Sequence, residues 1–313
     1  MSDVDRRSHT RAVWTALLVT VLWSSSWVLI RIGLDDEALP PITFAGLRYS
    51  VAAFFLIGWT SARPAVRTEV TSLTRARWRP LIILGVVYYA LTQGAQFVAI
   101  DSQPAATSSL MLAPTPFLVA VLSQHSIGEA VRLGQVVGAG LIVVGALVFF
   151  AGDLGATLIG MVASVIGLSA NVTSSLLGRS INRQQHLSPL TITATSMTVG
   201  AALLLGTGLI TEGIPRIGWA AFAVVGWLAV VNTAWAFTLW NSSLRRLAAV
   251  ESAAINNTML IQIALLAWVF LGEAPGIAGV VGIVIVSAGA LLAQGANLRH
   301  LAQTPLARRA AHH

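Results

Sequence analysis

Residues 125–148 read HSIGEAVRLGQVVGAGLIVVGALV, and residues 269–292 read VFLGEAPGIAGVVGIVIVSAGALL. A shift of 144 lays the first on the second: Gly128-Glu129-Ala130 meets Gly272-Glu273-Ala274, Val136-Val137-Gly138 meets Val280-Val281-Gly282, and Gly145-Ala146-Leu147 meets Gly289-Ala290-Leu291. A shift of 148 brings Pro41, Thr43 and Val51 onto Pro189, Thr191 and Val199, and Arg31 onto Arg179. The chain is two related halves, and the repeated matter is almost free of charge. That pattern decides the fold class, because it fixes what each half is made of and how the second must lie relative to the first.

A bilayer core about 30 Å thick needs about 20 predominantly apolar residues in one helix. Outward from the repeat, ten such stretches can be marked, at roughly 12–30, 42–60, 81–100, 104–123, 133–152, 154–178, 189–210, 217–240, 252–271 and 276–294. Nine hold no charge, and the second holds Arg48. Barrel strands would alternate in polarity over about 10 residues; these runs do not alternate. The expected fold is an all-α polytopic membrane protein with ten transmembrane helices in two inverted five-helix repeats. Its expected divisions are a cytoplasmic N-terminus at 1–11, a first repeat at 12–152, a second at 154–294 and a cytoplasmic C-terminal tail at 295–313. An odd number of spans per half sends the second half into the membrane upside down. Inverted repeats place a pathway at their interface, and rocking one against the other gives alternating access.

Composition agrees. There are 19 basic and 12 acidic side chains in 313 residues, 56% of the residues are hydrophobic, and the mean hydropathy is +0.77. Soluble domains carry about 25% charged residues, so 10% is too few to coat a cytosolic enzyme or to keep a chain disordered. The net charge of +7 is not a nucleic-acid footprint, because the basic residues, all Arg, are scattered singly between apolar runs rather than clustered on one face. Cys is absent, which removes disulfides, Cys-ligated metals and thiol nucleophiles. Nothing in the sequence calls for a cofactor or a metal.

Arg6, Arg7 and Arg11 precede the first span like the start of a signal peptide, but no small-residue cleavage site comes after it and the run continues through Trp23 and Trp27, so a retained helix is expected. With the N-terminus inside, ten spans put sixteen of the nineteen arginines on the cytoplasmic side, leaving Arg31 and Arg216 outside and Arg48 within a span. Reversal would leave two inside and sixteen outside. Short cytoplasmic loops carry the excess of basic residues, so both termini are expected in the cytoplasm.

Several local patterns carry a family resemblance: Trp23-Ser24-Ser25-Ser26, then Pro41-x-Thr43-Phe44-x-x-x-Arg48-Tyr49, then Ala105-Ala106 leading to Leu112-x-Pro114-Thr115-Pro116, and Gly128-Glu129, answered by Leu271-Gly272-Glu273 in the second half. In this order, over about residues 12–294, the chain resembles the drug/metabolite transporter superfamily, specifically its ten-span EamA branch. The resemblance implies a plasma-membrane carrier, often an exporter of amino acids or other metabolites, with a cavity between two five-helix halves. The implied partners are a small-molecule substrate and membrane lipid. The resemblance also points to spans 5 and 10 lying together, with a homodimer contact as one use of that face. One departure stands out: where family members often carry Glu-Pro in span 9 this chain has Met259-Leu260, against Thr115-Pro116 in span 4.

Polar groups inside a span are costly and usually face the bundle interior or a watery cavity. Trp23, Ser26 and Trp27 share a face of span 1, and their mates in span 6 are Asn171, Ser174 and Ser175. Span 3 offers Tyr89, Gln93 and Gln96 at spacings of four and three, span 8 offers Asn232, Trp235 and Trp240, and span 9 offers Asn256, Asn257 and Gln262. The substrate-binding candidates are therefore Trp23, Ser26, Trp27, Tyr89, Gln93, Gln96, Asn171, Ser175, Asn232, Trp235, Trp240 and Asn256. The alternative for each is a helix-to-helix hydrogen bond or, for Trp, an interfacial anchor. Arg48 either pairs outward with Asp35, Asp36 or Asp101 or turns inward to hold a substrate carboxylate; the peripheral place of span 2 in the family favours the ion pair. Glu251 is either a loop salt bridge with Arg245 and Arg246 or a protonatable coupling group. Pro114 and Pro116 are hinge candidates in span 4, since each removes a backbone donor. Gly134 with Gly138, and Ala278 with Gly282, form small faces for close helix packing.

With no carboxylate in the middle of spans 1–8 and only Arg48 as an intramembrane cation, a lipophilic-cation exporter and a sugar-phosphate exchanger both fit poorly. A small neutral or zwitterionic metabolite such as an amino acid fits best, exported by a secondary carrier; export of drug-like or other organic metabolites is the alternative. An intramembrane enzyme needs His, Asp or Cys at depth, and all six His lie outside or at the edges of spans.

Overall fold

The structure, a computed structural model, describes residues 3–115, 118–119, 122, 133–150, 155–183, 187–236, 239–240, 243 and 249–301. Every regular element among them is helical. α1 (Asp3–Asp35) and α2 (Pro41–Ser61) are followed by the short surface helix α3 (Pro64–Thr71) and by α4 (Arg75–Leu84). α4 runs on through a π-helical segment, Gly85–Gln93, into α5 (Gly94–Ser102). After α6 (Ala105–Leu110) come α7 (Leu133–Phe150), α8 (Leu158–Arg183) and α9 (Pro189–Thr211). α10 (Trp219–Ala229) continues as a second π segment, Val230–Trp235, and α11 (Ala249–Leu271) and α12 (Ile277–Leu301) complete the described elements.

Five helical runs are long and apolar enough to cross a membrane: His9–Asp35, Pro41–Ser61, Arg75–Ser102, Leu158–Gly178 and Leu190–Thr211. Val136–Phe149, Trp219–Trp235, Thr258–Leu271 and Ile277–Leu292 are shorter apolar helices. Large apolar side chains on them face outward, among them Phe54, Leu147, Ile210 and Phe270. This is the surface of a multi-pass membrane protein, whose solvent on that side is lipid. The fourth expected span is helical over Ala105–Leu110 and then turns at 111–114. The break has a local cause: Pro114 has no N–H for the Leu110 carbonyl, one α-turn back. Pro116 lies outside the described residues.

The sequence also explains how α2 and α9 begin. Each has Pro at its first helical position, where the missing donor costs nothing. Each has Thr two residues later. Ser188 caps α9, its hydroxyl accepting from Thr191 N at 3.3 Å.

The helices form two compact units, Met1–Ser24 with Ala113–Leu154 and Leu239–His313, and Ser25–Leu112 with Gly155–Thr238. Each unit draws on both halves of the chain. In the first, α7 and α12 pack antiparallel through glycine. A Cβ added to Gly145 would lie 2.7 Å from Val286 N and 2.9 Å from Gly282 O, and one added to Gly289 would lie 2.7 Å from Gly138 O. In the second, α2 and α9 pack antiparallel just as closely, Gly46 against the Leu205 backbone and Gly208 against Thr43.

Candidate functional site

In the unit containing α2 and α9, a chamber of about 230 Å³ opens between the α4–π segment, α8 and the first turns of α9. Leu84, Tyr88 and Tyr89 line it from the first, Asn171, Ser174, Ser175 and Gly178 from the second, and Ile192, Thr193 and Ser196 from the third. No charged side chain lines the chamber among the described residues. Its serines show a common polarity. Ser174 and Ser175 both donate to the Asn171 carbonyl, at 2.9 and 2.8 Å, and Ser196 donates to the Ile192 carbonyl at 2.5 Å. The hydrogens of Ser174 and Ser175 are engaged within their own helix, which leaves those two oxygens as acceptors, while Ser196 also pairs with the Tyr89 side chain. With Tyr88, Asn171 and Thr193 in the same lining the wall holds donors as well as acceptors, and it suits a polar ligand that asks for no counter-ion.

Two neighbours fix this wall. The rings of Tyr88 and Tyr89 lie 4.8 Å apart and tilted by 59°, and Tyr89 meets Tyr49 of α2 edge-on at 5.7 Å. On α3, Glu69 holds the start of α9: Oε1 accepts from Ser188 N and Oε2 from Ser188 Oγ, each at 2.6 Å, and Thr191 Oγ1 also donates to Oε2. Thr193 and Ser196 come within the next two turns. Partial burial alone would raise the Glu69 carboxyl, but the hydrogen bonds from Ser188 and Thr191, with Arg77 nearby, outweigh it and hold the group below the ordinary carboxylate range.

A second void in the same unit, of about 10 Å³, has room for about one water-sized sphere. Trp27, Thr92, Gln96, Ser108 and Ser164 help to line it. Beside it Gln103 donates from Nε2 to Ser108 Oγ at 3.1 Å and Ser164 Oγ at 3.2 Å.

Of the twelve binding candidates, the chamber gathers Tyr89, Asn171 and Ser175, and the small void takes Trp27 and Gln96. Gln93 lines neither. Asn232 is wholly buried and donates to Ser25 Oγ at 3.2 Å, a bond between helices. Trp235 is 48% exposed and lines neither void. Ser26 is buried, and Asn256 is exposed in the other unit. There Trp23 and Trp240 meet at 5.2 Å with their rings 50° apart. Beside them Gln262 accepts from Ser24 Oγ at 3.0 Å and donates to Thr20 Oγ1 at 3.2 Å and Thr258 Oγ1 at 2.9 Å.

Arg48 is buried and forms no ion pair among the described residues. It donates from Nε to Thr233 Oγ1 at 3.2 Å and lies 5.3 Å from the centre of the Tyr49 ring. The outward pair expected of it belongs to Arg31, which meets Asp35 at 2.6 Å and donates to the carbonyls of Ile100 and Asp101 at 2.5 and 3.1 Å. The side chain of Glu251 lies outside the described residues. Tyr88, Ser174, Thr193 and Ser196 were not singled out as binding candidates by sequence; Ser174 was visible as a polar mate in span 6, while the others needed the packing of α9.

The sequence matches the EamA-like transporter family over residues 10–151 and again over 156–294. A relative from Streptantibioticus cattleyicolor, named a "Probable terminal-alkyne amino-acid exporter", is 28% identical over 95% of this chain and 98% of its own. One from Escherichia coli, named a "Probable amino-acid metabolite efflux pump", is 27% identical over 74% of this chain and 77% of its own. An S-adenosylmethionine/S-adenosylhomocysteine transporter of Chlamydia trachomatis is 24% identical over 88% of this chain and 87% of its own. A protein crystal structure superposes with a TM-score of 0.63 at 20% identity, covering 92% of this chain and 96% of that one, which shows a shared fold.

Proposed function

The chain belongs to the EamA-like transporter family, and from that premise we propose that it is a ten-span secondary carrier, built from two inverted five-span repeats, that exports a small neutral or zwitterionic metabolite such as an amino acid by alternating access. It sits in the plasma membrane with both termini in the cytoplasm, as the arginine distribution favours.

The observation that carries this reading is the crosswise glycine packing of α7 and α12. Gly138 and Gly282 are mates in the repeat, as are Gly145 and Gly289. Gly145 meets Gly282, and Gly289 meets Gly138. When i meets j and the mate of i meets the mate of j, the contact is isologous, the relation a two-fold axis produces. The antiparallel course of both mate pairs, α2 with α9 and α7 with α12, is what an inverted repeat requires.

The chamber is the substrate's resting place in this reading. Its uncharged donors and acceptors suit a small polar ligand without net charge, and the names of the relatives from S. cattleyicolor and E. coli point to the same class. Purified protein in proteoliposomes, loaded in turn with each of the twenty amino acids, tests it by counterflow of the labelled counterpart. Uptake of at least one neutral amino acid above protein-free vesicles is expected; none across the panel sinks the amino-acid assignment.

A further inference from the structure

We propose that Thr92 and Thr233 are positioning residues whose hydroxyls hold the two π segments open and so set which residues spans 3 and 8 turn toward the transport pathway. The proposal rests on the carrier reading above, and its test is arranged to fail separately from it.

The two threonines are mates. A shift of 141 lays Gly85 on Gly226, Thr92 on Thr233 and Ala95 on Ala236. In that register the π segments Gly85–Gln93 and Val230–Trp235 overlap. Thr92 Oγ1 donates to the Val87 carbonyl and Thr233 Oγ1 to the Leu228 carbonyl, both at 2.9 Å and both five residues back. Elsewhere the helical hydroxyls of this chain reach three or four back, as Ser102 does to Val98 and Thr198 to Ala194. Thr92 and Thr233 each reach one residue further. A widened turn has poorer packing and hydrogen-bond geometry than the α-helix around it, so it persists where something holds it. Here the hydroxyl gives the carbonyl at the mouth of the turn a partner that an α-helical register would not provide.

The segments are also braced crosswise. Arg48 of α2 donates to Thr233 itself. Its mate at a shift of 148 is Ser196 of α9, whose carbonyl lies 2.5 Å from where a Cβ on Gly85 would be, with Gly200 flush against Tyr89 and the Gly85 carbonyl. Each widened turn is thus held by the corresponding position of the other repeat. One inserted residue rotates the helix before a bulge by about 100° relative to the helix beyond it. In span 3 this lets one helix present Leu84, Tyr88 and Tyr89 to the chamber and Thr92, Gln96 and Ala99 to the small void. A matched pair suits alternating access, since the two repeats exchange roles between the inward and outward states.

The test compares Thr92→Val and Thr233→Val, which keep the shape without the hydroxyl, with Thr92→Ser and Thr233→Ser, which keep the hydroxyl. The alanine pair serves as a second hydroxyl-free set where a valine variant fails to fold. Hydrogen exchange of the full-length protein in nanodiscs reads the segments without any substrate. The amides of 85–93 and 230–235 should exchange about tenfold faster than the flanking turns, and removal of the hydroxyl should slow its own segment about tenfold. Serine should leave exchange as in the parent. In counterflow of labelled L-threonine, or the best amino acid of the panel, the valine variants should lose about tenfold in maximal rate with the half-saturating concentration unchanged, and serine should restore it. Unchanged exchange in the hydroxyl-free variants overturns the proposal whatever transport does, and so does slowed exchange with an undiminished rate. Slowed exchange restored by serine, in a protein whose parent moves none of the panel, supports the threonine latch and sinks the amino-acid assignment alone.

Discussion

The carboxylate of Glu212 closes on Thr43, accepting from its N–H at 2.7 Å and its hydroxyl at 2.9 Å, with Ile42 N at 3.1 Å on the second oxygen. Thr43 sits in the first turn of α2 and Glu212 just past the end of α9. At the opposite end of the same antiparallel pair, Glu69 closes on Thr191 and Ser188 at the first turn of α9. Thr43 and Thr191 are repeat mates, so each helix of the pair is capped by an acid that lies beyond the end of the other. The donors are hydroxyls together with the N–H groups of Ile42, Thr43 and Ser188, which α-helical bonding leaves without partners, and a carboxylate there is favoured by the helix dipole.

Loss of either cap should therefore be felt as stability. Glu212→Ala and Glu69→Ala are each expected to cost about 1–2 kcal/mol, the range for removing a helix cap, read as lowered unfolding temperatures in detergent micelles. Since the carboxyl of Glu69 titrates below its ordinary value in the folded protein, the stability it adds is full above the unfolded carboxylate range of about 4.3. It is lost as pH falls through the lowered folded value. The acid-side drop in unfolding temperature should accordingly be shallower in Glu69→Gln, and an identical pH profile would refute the assignment.

The glycine contacts between α7 and α12 give a sharper contrast. A Cβ at Gly282 would fall 2.6 Å from Phe149 Cβ and 2.7 Å from the Gly145 carbonyl, whereas nothing lies within 4 Å of one at Gly140. Gly282→Ala should lose about 1–3 kcal/mol by overpacking, and Gly140→Ala should gain about 0.5–1 kcal/mol from helix propensity. Equal unfolding temperatures for the two variants would show that the helices are not in backbone contact.

Much of this architecture was legible in the residues. Hydropathy marked the helices, and the 144 and 148 registers paired the helices that pack on each other, α7 with α12 and α2 with α9. The features that stayed hidden have physical causes. Tyr89, Gln93 and Gln96 share one face only if the helix is α throughout, and the π segment divides them, sending Tyr89 to the chamber and Gln96 to the small void. Asn232 and Trp235, three residues apart, lie in the second π segment and are separated, one buried and one exposed. Glu69 and Glu212 carry no sequence signal as caps, because a cap between helices distant in sequence leaves no local spacing to read. For Arg48 the peripheral place of span 2 in the family favours an outward ion pair over a substrate carboxylate, but Arg31 is one helical turn from Asp35 and takes it.

Chamber chemistry can be switched by one charge. Asn171 lines an uncharged wall, so Asn171→Asp would place an anion where every other described group is neutral. Competition by a matched series, indole-3-acetamide, tryptamine and indole-3-acetate, reads the result against uptake of labelled tryptophan. The parent should favour the amide, and Asn171→Asp should gain about tenfold for tryptamine while rejecting the acetate, since specificity depends on the repulsive element as much as the attractive one. A variant whose ranking matches the parent would remove Asn171 from the substrate's surroundings.

Gln262 separates a cross-link from a binding group. Its amide engages Thr20, Ser24 and Thr258 at once, so its hydrogen-bonding capacity is directed to α1 and to its own helix. Gln262→Leu keeps the bulk but takes from Ser24 the acceptor it donates to, while Thr20 and Thr258 still donate to the Leu17 and Ile255 carbonyls, at about 1–3 kcal/mol for the group left without its partner. The half-saturating concentration for any transported amino acid should stay within about twofold of the parent, because a lost helix contact is not a lost ligand contact. Stability and affinity thus move apart in this variant, whereas Asn171→Leu should weaken affinity about threefold to tenfold. If Gln262→Leu instead raised the half-saturating concentration at unchanged stability, the pathway would run beside Thr20 and Ser24, and the chamber would lose its standing as the place where substrate is held.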